Sequence, residues 1–174
     1  MRGIQPTGVD ASERAVAMAR EAVPTARIEH GNAESLPFDN GSFDLVTCIG
    51  AIERFLDRPA ALAEMRRVAT PEARFCVMVR NAKTISWRVW RQWLGRRNRR
   101  GHQDARSLDE WTALFRDAGF EVTDVLPDQW FRQRLRKALH GFRRRDLTAD
   151  EPIARPLLPM RVAHEFIFVM RHAS

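Results

Sequence analysis

A chain of 174 residues, 44% hydrophobic and 29% charged, is long enough to bury the core of one domain and too ordinary in composition for a disordered or fibrous protein. It carries a formal net charge of +7, and no apolar run approaches the ~20 residues that span a bilayer, which excludes a membrane-spanning helix. The N-terminus is too polar to read as a signal peptide, and the two distant cysteines, Cys48 and Cys76, exclude a disulfide framework or a cysteine metal pair. They read as reduced, buried small hydrophobes of a cytoplasmic protein.

In chain order, Thr7-Gly8-Val9 is a short strand-like piece ending in Asp10. An acidic residue at a strand tip that leads into a helix commonly holds the sugar of a nucleotide-like cofactor. Ser12 is a good N-cap, and the helix expected over 12–22 sets Val16, Ala19 and Val23 along one side before Pro24 stops it. A short strand over 26–30 leads into the turn GNAESLPFDNGS. The run FDLVTCIG, residues 43–50, is nearly all apolar, as expected for a strand covered on both faces.

Pro59 stands where a first helical turn tolerates proline, and AALAEMRRV, residues 60–68, repeats apolar residues at helical spacing. After Thr70-Pro71-Glu72, RFCVMV over 74–79 reads as a buried strand. Strands alternating with helices predict an α/β fold with a parallel sheet. Ser107-Leu108-Asp109-Glu110 is a capping box for a helix ending at Gly119, followed by a strand over 120–126. The last strand, over 164–171, can return beside it. No repeat or low-complexity linker divides the chain, so residues 1–174 read as one domain.

The ordered set GVDAS, HGNAESLPF, GSFDLVTCIGAIERF, ALAEMRRVATPEARFCVMVRN and SLDEWTALFRDAGFEV resembles the class I S-adenosylmethionine-dependent methyltransferases, of the type 11-like kind. The resemblance covers roughly residues 7–126, and the closing strand suits it. It implies a Rossmann-like sheet, mostly parallel with an antiparallel final strand, with core residues 7–126 and 161–172. It also implies S-adenosylmethionine as cofactor.

The resemblance places Asp10, with Ala11 beside it, at the cofactor ribose, where a carboxylate offers two acceptor oxygens and no donor. The competing role for Asp10 is to help cap the following helix. Asn32 stands where the family usually has Asp, and its carbonyl oxygen would accept from the adenine amino group beside the backbone of Ala33. Its competing role is turn chemistry. Cys48, Ile49 and Gly50 end a strand near the methionine part of the cofactor, and the Cys48 side chain reads foremost as core packing. Glu53 and His102 are the candidates for a base near the methyl acceptor, each weighed against a structural or solvated role.

One departure stands out. The family's first strand and glycine-rich loop precede the segment resembling GVDAS, and Met1 to Pro6 cannot supply them. The expectation is a sheet in two fragments with unpaired edges, buried unpaired backbone groups costing on the order of 1–3 kcal/mol each. A late start codon, a truncated gene remnant or a strand lent by a partner chain would each account for it.

All basic residues except Lys83 and Lys137 are arginine, and they crowd into 86–106 and 130–145. Each run has an apolar stripe at helical spacing: Trp87, Trp90 and Leu94 in one, Phe131, Leu135, Leu139 and Phe142 in the other. These lie in basic insertions, 84–106 and 127–160, where the family places substrate-covering segments. Their bland role is to pack the stripe and solvate the charge. Their functional roles are a small-molecule or lipid-linked acceptor site, peripheral contact with an anionic membrane, or nucleic-acid binding. The expected activity is methyl transfer from S-adenosylmethionine to an oxygen, nitrogen or carbon acceptor. The rival is an inactive remnant or partner subunit whose basic helices bind a membrane surface or nucleic acid.

Overall fold

Ser12 accepts a hydrogen bond from the Ala15 backbone N–H at 3.3 Å and starts helix α1, Glu13–Ala22, which connects strand β1, Thr7–Asp10, to strand β2, Arg27–His30. This is seen in a computed structural model that describes residues 3–84, 104–128, 160 and 163–173. β1 and β2 pair in parallel from Thr7 opposite Arg27 to Asp10 opposite His30, and form a sheet of two strands. Only Val16 of α1 is buried, while Val23 is 46% exposed. The expected stripe is therefore only partly covered, because a two-stranded sheet offers α1 little surface.

The larger sheet runs in the order β3-β4-β6-β5. Its strands are β3, Phe43–Ile49; β4, Ala69–Arg80; β5, Phe120–Pro127; and β6, Glu165–His172. β3 and β4 are parallel, whereas β6 runs antiparallel to both β4 and β5. A 3-10 turn, Ile52–Arg54, follows β3, and helix α2, Arg58–Arg67, leads to β4. Asp57 caps α2 by accepting the Ala60 N–H at 2.9 Å, with Pro59 in the first turn as its fixed φ allows. Helix α3, Leu108–Asp117, starts with the expected capping box of Ser107 and Glu110.

The core lies on the larger sheet. Leu62 and Met65 of α2 and Trp111 and Phe115 of α3 pack against Phe75, Val77, Phe120, Phe166 and Phe168 of the strands. Phe115 meets Phe168 edge-on with ring centroids 4.9 Å apart, and Phe75 meets Phe120 at 4.8 Å, geometries that aromatic quadrupoles favour.

Two expectations need correction. β3 is not covered on both faces: Leu45 and Ile49 are 59% and 55% exposed, while Cys48 is buried. The strand pairs only with β4, so residues on the core side pack and those on the other side do not. Thr70-Pro71-Glu72 does not interrupt the chain ahead of the strand but belongs to β4. Pairing with β3 jumps from Ala69 to Arg74, and pairing with β6 starts at Phe75, so Pro71 sits where no ladder N–H is required.

Gly119 ends α3 at φ +81°, the left-handed region, and a Cβ there would meet the Arg66 guanidinium, which donates to the Ala118 carbonyl at 3.2 Å. Gly119→Ala is expected to lower stability by about 1–2 kcal/mol from backbone strain alone. Urea unfolding should show a lower midpoint at unchanged slope.

Candidate functional site

The carboxyl ends of β1 and β3 line one cleft. Asp10 stays in place through a tight turn in which its Oδ1 accepts the Ser12 N–H at 2.8 Å. The capping role weighed for it is thus present, and it engages one oxygen of an exposed carboxylate. Ala11 follows, its carbonyl 3.1 Å from the His30 ring Nε2.

Asn32 opens the loop after β2. Its Oδ1 accepts the Glu34 N–H at 3.0 Å and its own carbonyl accepts the Ser35 N–H at 3.0 Å, so the turn chemistry is also present. One lone pair of Oδ1 is engaged in that bond, and a carbonyl oxygen has two. Glu34, which the sequence did not single out, clamps this loop to the far rim. Its Oε1 accepts the N–H groups of Leu56 and Asp57 at 2.7 and 3.0 Å, which holds its carboxyl below the usual range, the Asp57 bond contributing most. Arg67 of α2 secures the same loop farther on, donating to the carbonyls of Phe38 and Leu36 at 2.7 and 3.0 Å.

Cys48 and Ile49 end β3, and Gly50 follows at φ +64° with its N–H on the Met78 carbonyl at 3.1 Å. The Cys48 side chain is in the core, as its packing role required. Burial, with the Glu53 carboxylate adding to it, pushes this thiol up to about 11. The thiolate is the reacting form, so iodoacetamide at pH 8 should modify Cys48 about a hundredfold more slowly than a free cysteine. Mass spectrometry over a time course checks this.

A cleft of about 900 Å³ takes in Asp10, Ala11, Asn32, Ala33, Cys48, Ile49 and Gly50 together. Its polar end lies at Asp10 and Asn32, and apolar wall comes from Leu45, Ile49, Phe38 and Phe55. It extends along the facing edges of β1 and β3, so it is longer than the cluster of loop residues at its carboxyl end. This volume and this mixture are what a nucleoside-sized ligand needs.

Glu53 lies just outside this lining, with Ala51 and Arg54 in the cleft on either side. It is 2% exposed and turns inward, its Oε1 accepting the Arg80 backbone N–H at 2.8 Å. His102 and nearly all of the basic runs lie outside the described residues. The described flanks of these runs converge, however. Asn81 donates from its backbone to His164 at 3.1 Å and from Nδ2 to Ala163 at 2.8 Å, and Ala82 donates to the Arg106 carbonyl at 3.0 Å. Both insertions therefore leave and return beside the end of β4. Among the described residues no helix is long and apolar enough to cross a membrane.

Residues 1–77 match a family model described as a methyltransferase domain. The chain is 32% identical over 141 residues to the uncharacterized methyltransferase YcgJ of Bacillus subtilis, an alignment covering 72% of this chain and 55% of that one. It is 35% identical over 121 residues to a Mycolicibacterium smegmatis protein named "Probable S-adenosylmethionine-dependent methyltransferase", covering 68% and 44%. The chain thus spans about half the length of these relatives. The crystal structure of Bacillus subtilis YcgJ superposes with a TM-score of 0.61 at 22% identity, over 98% of this chain and 83% of that one, and so shares the fold.

Proposed function

Since this chain belongs to the class I S-adenosylmethionine-dependent methyltransferases, we propose that its cleft binds S-adenosylmethionine for methyl transfer to a small-molecule or lipid-linked acceptor. The observation that carries the reading is the meeting of Asp10, Asn32 and Gly50, from three separate turns, on a single cleft. When bound, the cofactor supplies an electrophilic methyl group on a sulfonium.

This chain's own residues do the holding. The second oxygen of Asp10 accepts from the ribose hydroxyls, while the first keeps the turn closed on Ser12. The remaining lone pair of Asn32 Oδ1 receives the adenine amino group beside the backbone of Ala33. Glu34 fixes that loop at the correct height by its two bonds to the opposite rim. Gly50, in a conformation that side-chain-bearing residues rarely adopt, brings its backbone near the methionine end together with Cys48 and Ile49. The acceptor approaches at the carboxyl end of β4, where the described flanks at Ala82, Arg106 and His164 meet beside Asn81.

Calorimetric titration with S-adenosylhomocysteine tests this directly, after circular dichroism has established cooperative folding. Micromolar binding is expected. A folded chain that binds none would overturn the reading.

A further inference from the structure

The turn after β3 divides its residues between core and cleft. In Ile52–Arg54 the Arg54 N–H donates to the Ala51 carbonyl at 2.9 Å, and the following Phe55 N–H to that of Ile52 at 3.3 Å. At three residues per turn, positions three apart share a face. Ile52 and Glu53 enter the core, while Ala51 and Arg54 line the cleft, followed there by Phe55 and Leu56.

Among the described residues Arg54 is the one cation of that lining, whose carboxylates are Asp10 and Glu34. Arg54 is exposed, and among the described residues its guanidinium has neither an ion pair nor a hydrogen bond. The neighbouring groups are committed elsewhere. Glu34 accepts from the Leu56 and Asp57 backbone, Arg58 pairs with Asp104 at 3.4 Å, and Arg67 with Glu64 at 2.7 Å.

A solvated arginine on an open face needs no explanation, but this one stands in a cleft beside uncovered apolar surface. Leu56 is 79% exposed and Ile49 55%, with Phe55 half-buried between Arg54 and Leu56 in the chain. A few polar groups set among apolar walls are what orient a small ligand. The turn also faces the acceptor side. Arg58 Nε donates to the Ile52 carbonyl at 3.2 Å, and its pairing with Asp104 ties the turn to the flank of the first basic insertion.

We propose that Arg54 selects the methyl acceptor by charge, and that the acceptor is an amphiphilic carboxylate. Its apolar body lies against Phe55 and Leu56, and its carboxylate takes two parallel N–H bonds from the Arg54 guanidinium, whose planar fork matches that group. This rests on the cofactor reading above, which sets the methionine end of the cofactor at Gly50, just before the turn.

A matched pair of probes tests this without knowledge of the natural acceptor. 2-Naphthoate and 2-naphthamide have the same shape and differ in charge. Each is titrated calorimetrically into the chain saturated with S-adenosylhomocysteine, as wild type, Arg54→Gln and Arg54→Lys. The wild type is expected to bind the carboxylate at least fivefold more tightly than the amide. Arg54→Gln should bring the two within twofold, and Arg54→Lys, which keeps the charge without the fork, should fall between. Because Arg54 is exposed, the melting temperatures of the variants should stay within about 2 °C of wild type.

Equal binding of the two probes by the wild type, binding of neither, or a preference that persists in Arg54→Gln would overturn the proposal alone. So would a tenfold loss of S-adenosylhomocysteine affinity in Arg54→Gln, since the anion on Arg54 would then be the cofactor's own carboxylate and the cofactor reading would stand. Failure of the wild type to bind S-adenosylhomocysteine would overturn the cofactor reading and this inference with it.

Discussion

Trp111→Ala is expected to lower the free energy of unfolding by about 3–5 kcal/mol, the range for deleting a fully buried large aromatic. Trp111 is 0% exposed and stacks on Phe115 with centroids 5.9 Å apart, under the Arg106 guanidinium at 5.6 Å. Its Nε1 also donates to the Arg80 carbonyl at 3.0 Å, on the same peptide segment whose N–H holds Glu53. A loss of that size is a large part of the ~5–15 kcal/mol by which domains are stable. Trp111→Phe separates the contributions, because it keeps much of the packing and removes the donor. The Phe variant should lose only about 1–3 kcal/mol, the cost of a stranded carbonyl plus a small cavity. Urea denaturation followed by circular dichroism checks both, and equal midpoints for the two variants would refute the division.

Asp10→Ala is expected to weaken S-adenosylhomocysteine binding by about tenfold or more, since a hydrogen bond to a charged group contributes about 1.5–3 kcal/mol and 1.4 kcal/mol is tenfold. The difficulty is that Asp10 also closes the turn onto Ser12, so lost affinity has two possible origins. Ser12→Ala keeps the backbone N–H that Asp10 accepts and so serves as the control for stability lost in this unit. It removes the α1 cap, for about 1 kcal/mol of helix stability, and leaves the Asp10 carboxylate in place. If the carboxylate binds ribose, Ser12→Ala lowers the melting temperature while affinity stays within about twofold, whereas Asp10→Ala loses affinity. If both variants lose affinity in proportion to stability, the loss at Asp10 reflects the stability of this unit and not a bond to ribose.

What the sequence made legible was whatever its own near neighbours decide. The Ser107–Glu110 box closes over three residues, and both of its bonds are present. Ser12 capping α1 is of the same kind. An antiparallel final strand was implied by the resemblance, and β6 does run antiparallel to β4 and β5. Burial was harder, because it depends on what lies across a strand. The run 43–50 is apolar throughout, yet Leu45 and Ile49 remain exposed where β3 has no second neighbour.

The site shows the same division. Asp10, Asn32 and Gly50 stand at strand ends, where position in the chain fixes position in the fold. Glu34 escaped notice because its partners, Leu56 and Asp57, are more than twenty residues away and are backbone groups that any sequence would offer. Glu53 was noticed as a candidate base, but its inward turn onto Arg80 depends on a contact across 27 residues.

The arrangement in two sheets also sets an uneven resistance to opening. Of residues 3–42, Val16 alone is buried, whereas the rest of the apolar core belongs to later elements. The β1–α1–β2 unit is tied to them largely by polar bonds, those of Glu34 and Arg67 among them. Segments with few buried apolar contacts exchange their amide hydrogens through local openings far smaller than global unfolding. Amides of β1 and β2 should therefore exchange well before those of β4 and β6. A ligand bridging Asp10 on one unit and Gly50 on the other would have to hold the first unit closed to bind at all. Part of its intrinsic affinity then goes into ordering that unit, and its clearest signature is slowed exchange at Ile28 of β2, which lies outside the cleft.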